Sequence, residues 1–282
     1  LFFLISFRVP LENEFSIDEV EKLVGGDRSI EVIEVCSQGS RQMLLEDFVK
    51  YYNRKELLNV ISLEFSYTAL ADVVSPPSIL RKIDWVDLYW PKALHTVTSE
   101  ADPAYGPFTF PKVKQFCFMS VKDCFTDFHI NFGGTTAWYH VLKGKKMLWL
   151  VEPTEHNITM YEQWVTNSSA DNSIFFGDIV DCCCRLELNA GDTFVIPSGW
   201  IYAVYTPVDS IVFGGNFLHS FSIPMQLRVI KSEDKIKVYF YSKYRYPYYS
   251  EILWYVVNGV VERVTGQSFT LAQNFKSMEV SA

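Results

Sequence analysis

The chain has 282 residues, 49% of them apolar and 16% aromatic, enough to bury a sizeable core in one large β-rich unit with helical additions. A formal net charge of −8, with no Lys/Arg stripe, excludes a binder that grips nucleic acid through its phosphates, whereas an acidic surface suits a basic partner. The six cysteines contain no Cys-x-x-Cys pair, and Cys182, Cys183 and Cys184 alternate in direction on a strand, so they read as reduced intracellular thiols and not as a zinc site.

In chain order, Leu1 to Phe7 is apolar but too short to cross a bilayer and lacks a basic n-region, so it reads as a fragment boundary and not as a signal peptide or membrane span. Ser16 is placed to cap a helix starting at Ile17, with acidic residues in its first turn and Gly25-Gly26 as its stop. The β-branched run Ser29 to Cys36 predicts a strand, Met43 to Tyr52 a helix, and Leu57 to Ser66 a strand. A short helix is expected around Ser78 to Ile83, then the Trp85 to Trp90 segment, then a turn-rich ordered loop over 95–112.

From Gln115 strands dominate: Gln115 to Ser120, Thr126 to Asn131, Ala137 to Leu142, Lys146 to Val151, Arg185 to Leu188, Thr193 to Ile196, Ile201 to Thr206 and Ser210 to Asn216. Short strands divided by Gly, Pro and Asp turns predict a sandwich or jelly roll. The insertion from Thr154 to Ile179 carries a helix near Ile158 to Trp164. Met225 to Tyr241 and Tyr248 to Val264 have helical spacing and predict a helical unit packed beside the barrel.

The chemistry concentrates in Thr126-Asp127-Phe128-His129-Ile130-Asn131-Phe132-Gly133-Gly134, which continues through Trp138-Tyr139-His140 to Lys143-Gly144-Lys145-Lys146. On an extended strand His129 and Asn131 share one face. Two ligand-type side chains followed by a base on a later strand suit a metal and an anionic cosubstrate. This run resembles the iron-binding core of the JmjC-domain histone lysine demethylases, within them the subgroup that carries a plant homeodomain finger ahead of the JmjC domain. The resemblance extends from about Ser16 to Gly266, and the Cys/His ligand set of such a finger is absent from this chain.

The resemblance implies a mainly β fold with flanking helices: a JmjC double-stranded β-helix (a cupin-like jelly roll) over 115–222, an N-terminal extension over 1–114, and a helical C-terminal unit over 223–282. It also implies an Fe(II) centre of two His and one carboxylate. His129 matches the first ligand. Asn131 stands where the family has Asp, and Tyr202, in Pro197-Ser198-Gly199-Trp200-Ile201-Tyr202-Ala203, stands where it usually has the second His. Exchanging a carboxylate for an amide removes a full negative charge beside a dication, so this set holds Fe(II) less tightly.

By the same resemblance Lys146 is the cationic anchor for 2-oxoglutarate, with Thr126 and Tyr139 as hydroxyl partners and Asn59 near the pocket. Thr126 is an odd step from His129, so turning it inward requires a twist or bulge. The implied activity is hydroxylation of the N-methyl group of mono- or dimethyl-lysine on histone H3 with release of formaldehyde, in a nuclear regulator of chromatin and transcription. Neither direct sequence-specific nucleic-acid contact nor a membrane is implied. The alternative is a catalytically inactive JmjC pseudoenzyme serving as a chromatin-binding or scaffold module. Asn131 and Tyr202 favour this alternative, while Thr126, Tyr139 and Lys146 favour retained cosubstrate binding. His140 and His219 read as packing residues, and Trp254-Tyr255 as helix core and not a methyl-lysine cage.

Overall fold

The computed structural model describes residues 8–52, 57–95, 97–102, 106–167, 174–236 and 245–267. The N-terminal part runs α1 (Ile17–Val24), β1 (Ser29–Glu34), β2 (Gly39–Leu44), α2 (Leu45–Tyr51), β3 (Leu58–Glu64), α3 (Leu70–Val73), α4 (Trp85–Tyr89), β4 (Val97–Asp102) and β5 (Gly106–Phe108). It continues with β6 (Phe116–Ser120), β7 (Phe125–Ile130), β8 (Thr136–Val151), α5 (Glu155–Asn167), α6 (Phe176–Ile179), β9 (Cys184–Asn189), β10 (Thr193–Ile196), β11 (Ile201–Phe217), α7 (Ile223–Lys235) and α8 (Tyr249–Thr265). Ser16 caps α1 by accepting the Glu19 N–H.

Nine strands form one antiparallel sheet in the order β10-β8-β11-β6-β3-β1-β2, with β7 paired to β11 and β9 to β8. This is the jelly-roll architecture with flanking helices that the resemblance implies. β1 to β3 extend that same sheet. Leu45, Phe48 and Val32, all buried, pack with Phe65, Trp138 and Phe213 in a single cluster, so the N-terminal helices cover one face of the barrel. A second cluster of Leu148, Ile196, Tyr202, Val204 and Val212 fills the barrel. A third joins α4 to α8 through Trp85, Trp90, Ile252 and Val256. Each such large side chain contributes roughly 1.5–3 kcal/mol by leaving water.

Several expectations need correction. β2 begins in the polar stretch between the expected strand and helix, where no element was expected, and its antiparallel pairing with β1, Ser29 opposite Leu44, satisfies its backbone while its side chains stay mostly exposed. The α-helix there starts only at Leu45. Of the 95–112 loop, Val97–Asp102 and Gly106–Phe108 pair as a hairpin. The segment expected as a helix near Ser78 to Ile83 is a single 3-10 turn, Leu80–Lys82.

The most consequential difference concerns length. Lys143 to Lys146 is no turn: β8 runs unbroken for 16 residues and β11 for 17, and the two pair along almost their whole length. Where β11 shifts register between Tyr205 and Ile211, β8 carries Gly144 at φ 82°. A Cβ there would run into the Asp209 carbonyl, so only glycine lets the two bent strands approach. In the C-terminal part α7 ends at Lys235, and the remainder of the expected helix to Tyr241 reaches beyond the described residues, as do residues 268–282.

Candidate functional site

A cavity of about 300 Å³ lies inside the barrel, and Asn59, Thr126, His129, Asn131, Tyr139, Lys146 and Tyr202 all line it. Its two ends differ in chemistry.

At one end β8 alternates so that Lys146, Leu148 and Leu150 are buried while Met147 and Trp149 are less so. Lys146 is 3% exposed. Its Nζ donates to Ser120 Oγ at 2.7 Å and to Thr206 Oγ1 at 2.8 Å. Ser120 in turn donates to Asn59 Oδ1 at 2.7 Å, and Asn59 Nδ2 donates to Thr126 Oγ1 at 3.2 Å. The register supports this chain, since Asn59 on β3 stands opposite Ser120 on β6. Among the described residues no carboxylate pairs with Lys146, and burial lowers its pKa to about 7.

Thr126 reaches the cavity because β7 carries a bulge. Tyr202 faces His129 and Val204 faces Thr126, so Asp127 and Phe128 together stand opposite Ala203. Thr126 meets Lys146 only through Asn59 and Ser120. The Tyr139 ring stacks on Phe118 with centroids 4.9 Å apart, and its hydroxyl is hydrogen-bonded to Tyr202 and not to Lys146.

The other end holds His129, Asn131 and Tyr202, the three residues that the resemblance matches to metal-ligand positions. His129 donates from Nδ1 to the Asp127 carbonyl at 2.8 Å, and its ring lies 4.2 Å, centroid to centroid, from Tyr202. Burial lowers the His129 pKa and so favours neutral imidazole. Tyr202 is 1% exposed and donates its hydroxyl to Asn131 Oδ1 at 2.8 Å. Burial raises the Tyr139 phenol to about 12 and carries Tyr202 well above its ordinary value, so both stay protonated. Asn131 follows β7 directly and opens the turn Phe132–Gly134, which is held by the Gly133 N–H donating to Glu233 Oε1 of α7 at 2.7 Å.

Fe(II) is held by imidazole and anionic oxygen. Here one neutral imidazole faces an amide whose carbonyl is engaged by a phenol, and that phenol holds its proton. Among the described residues no group of three His, Cys, Asp or Glu converges on a point. The residues present do not fit a resident iron ion.

Ser120 and Thr206 went unnoticed in the sequence, although Thr206 is in phase with Tyr202 and Val204 along β11. His140, 6% exposed, hydrogen-bonds Thr193, and His219 caps the Phe221 N–H while bonding Thr136. Trp254 departs from the reading as core: it is 59% exposed, whereas Tyr255 packs edge-on against Trp90.

A family profile described as the Jumonji helical domain matches residues 221–274. The chain is 50% identical over 277 residues to lysine-specific demethylase 2B of Mus musculus, covering 96% of this chain and 21% of that protein. It is 47% identical over 266 residues to JmjC domain-containing histone demethylation protein 1 of Caenorhabditis elegans, covering 91% and 24%. With lysine-specific demethylase 7B of Danio rerio it shares 45% identity over 261 residues, covering 92% and 42%. The chain thus spans 21% to 42% of the length of these relatives. The jelly roll, the helical C-terminal match and these relatives agree: over at least 91% of its own length the chain is similar to a portion of the JmjC-domain histone lysine demethylases.

Proposed function

We propose that this chain is a nuclear chromatin module of demethylase ancestry that engages the methylated tail of histone H3 while its iron centre is closed. The observation that carries this is the 2.8 Å hydrogen bond from Tyr202 to Asn131, which turns two positions aligned with ligands into a neutral donor–acceptor pair. The name of the Caenorhabditis elegans relative, a histone demethylation protein, supplies the histone substrate class. On this reading residues 115–222 are the barrel, 1–114 its N-terminal cover and 223–282 a helical flank. His129 holds its proton at Nδ1 toward Asp127, the two tyrosines keep their hydroxyl protons, and Lys146 offers a charge-assisted hydrogen bond to an acid. These residues bind and orient a ligand, and none of them is placed to move a proton to or from a methyl-lysine.

A second reading, a slow 2-oxoglutarate-dependent demethylase, is favoured by the intact arrangement around Lys146, Asn59 and Thr126. One experiment separates the two: Fe(II) titration and formaldehyde release from a dimethyl-lysine H3 peptide with 2-oxoglutarate, for the wild-type chain and for Asn131→Asp/Tyr202→His. The closed-centre reading expects the wild type to release no formaldehyde. It also expects the double variant to bind Fe(II) at least about a hundredfold more tightly, as restored carboxylate and imidazole ligands require. Wild-type formaldehyde release that depends on added iron would establish the second reading instead.

A further inference from the structure

The charge inventory of the cavity narrows what it can hold. Of the described residues that line it, Lys146 alone is a Lys or Arg able to carry a positive charge, and Glu31 adds a carboxylate. Lys146 is held by two hydroxyls and no acid, an arrangement that leaves one buried cation to be matched by one anion. At the opposite end Tyr202 and Asn131 satisfy each other. Asn131 retains its amide N–H groups, which suit a neutral oxygen, and no cation stands there for a second carboxylate. A dicarboxylate would bring two negative charges to a cavity that neutralises one, and burying the other without a partner costs several kcal/mol.

From this geometry we infer that the barrel is a metal-independent receptor for a small aliphatic monocarboxylate with a neutral polar tail, its acid on Lys146 and its tail at Tyr202 and Asn131. This rests on the closed iron centre and changes the ligand class expected of it. A 2-oxo group beside the second acid has no metal to chelate, so it gives no advantage.

The test compares glutarate with its monoamide, glutaramate, which has nearly the same length and shape and one charge fewer. Calorimetry on the wild-type chain in excess chelator is expected to show glutaramate binding about tenfold more tightly than glutarate, with 2-oxoglutarate no better than glutarate. Lys146→Met, shown to be folded by its circular dichroism and cooperative melt, should lose glutaramate binding. Glutaramate binding no tighter than glutarate, no binding of either up to about 10 mM, or glutaramate binding unchanged in folded Lys146→Met would each overturn the inference. Because chelator is present throughout, the outcome is independent of the iron titration: a chain that takes iron defeats the closed-centre reading, and a chain that prefers glutarate defeats this one.

Discussion

The two ends of the cavity have followed different courses. Around Lys146 a charged group is buried in a chain of hydrogen bonds that runs through Ser120 and Asn59 to Thr126. Around His129, Asn131 and Tyr202 every group is neutral, and two of the three side chains satisfy each other. A buried cation without a counter-ion destabilises the empty fold, whereas a neutral hydrogen bond stabilises it slightly. On the proposed reading, the end that resists folding is the one kept for a ligand, and the end bonded internally is the one without an ion.

The contrast is most sharply broken by removing the charge. Lys146→Met should stabilise the ligand-free chain at neutral pH by up to a few kcal/mol, read as the urea midpoint. The sign follows from the folded pKa of about 7 against the ordinary 10.5. Between these values the unfolded chain holds a proton that the folded chain has released, so wild-type stability rises as pH climbs from 7 toward 10. The variant's advantage should accordingly be full below pH 7 and vanish by about pH 10. A gap between the two proteins that does not change with pH would show that Lys146 is not a buried charge.

Ser120→Ala tests the same end without touching the charge. It leaves Asn59 Oδ1 without its donor and Lys146 with Thr206 alone, which should destabilise the fold by about 1–3 kcal/mol in chemical denaturation. The smallest effect is expected at the other end. Tyr202→Phe removes the neutral hydrogen bonds to Asn131 and Tyr139 and should destabilise by about 1–2 kcal/mol, with no change in Fe(II) affinity. A large loss of iron binding in Tyr202→Phe would mean that the phenol is a ligand after all.

Much of the barrel was legible because short runs rich in aromatic or β-branched residues mark β3, β6 and β7 directly. The two long strands were not, because Lys143-Gly144-Lys145-Lys146 and Pro207-Val208-Asp209 have turn composition. Their partners keep them in the sheet: β8 and β11 satisfy each other's backbone across both bends, and no local pattern reports a partner some 60 residues away. β2 was hidden for a related reason, since a polar edge strand has no buried face to give it a period. The site residues picked from the sequence all line one cavity, but Ser120 and Thr206, which hold Lys146, were not among them. What could not be read was who bonds whom. The Tyr202–Asn131 contact spans 71 residues, and Ser120, the hub of the Lys146 network, looks in sequence like any strand-end serine.

One contact outside the cavity gives the helical flank a mechanical role. Glu233 of α7 receives the Gly133 N–H two residues after Asn131, and a Cβ at Gly134 would lie 2.8 Å from the Gln226 backbone. The helix thus seats the turn that follows Asn131, so a shift of α7 would bear on Asn131. Coupling of this kind is reciprocal: a protein that docks on α7 and tilts it would retune the grip on a ligand, and a ligand seated at Asn131 would alter how α7 is presented. The helical flank would then be a handle on the barrel, through which an occupied cavity could be sensed from the surface.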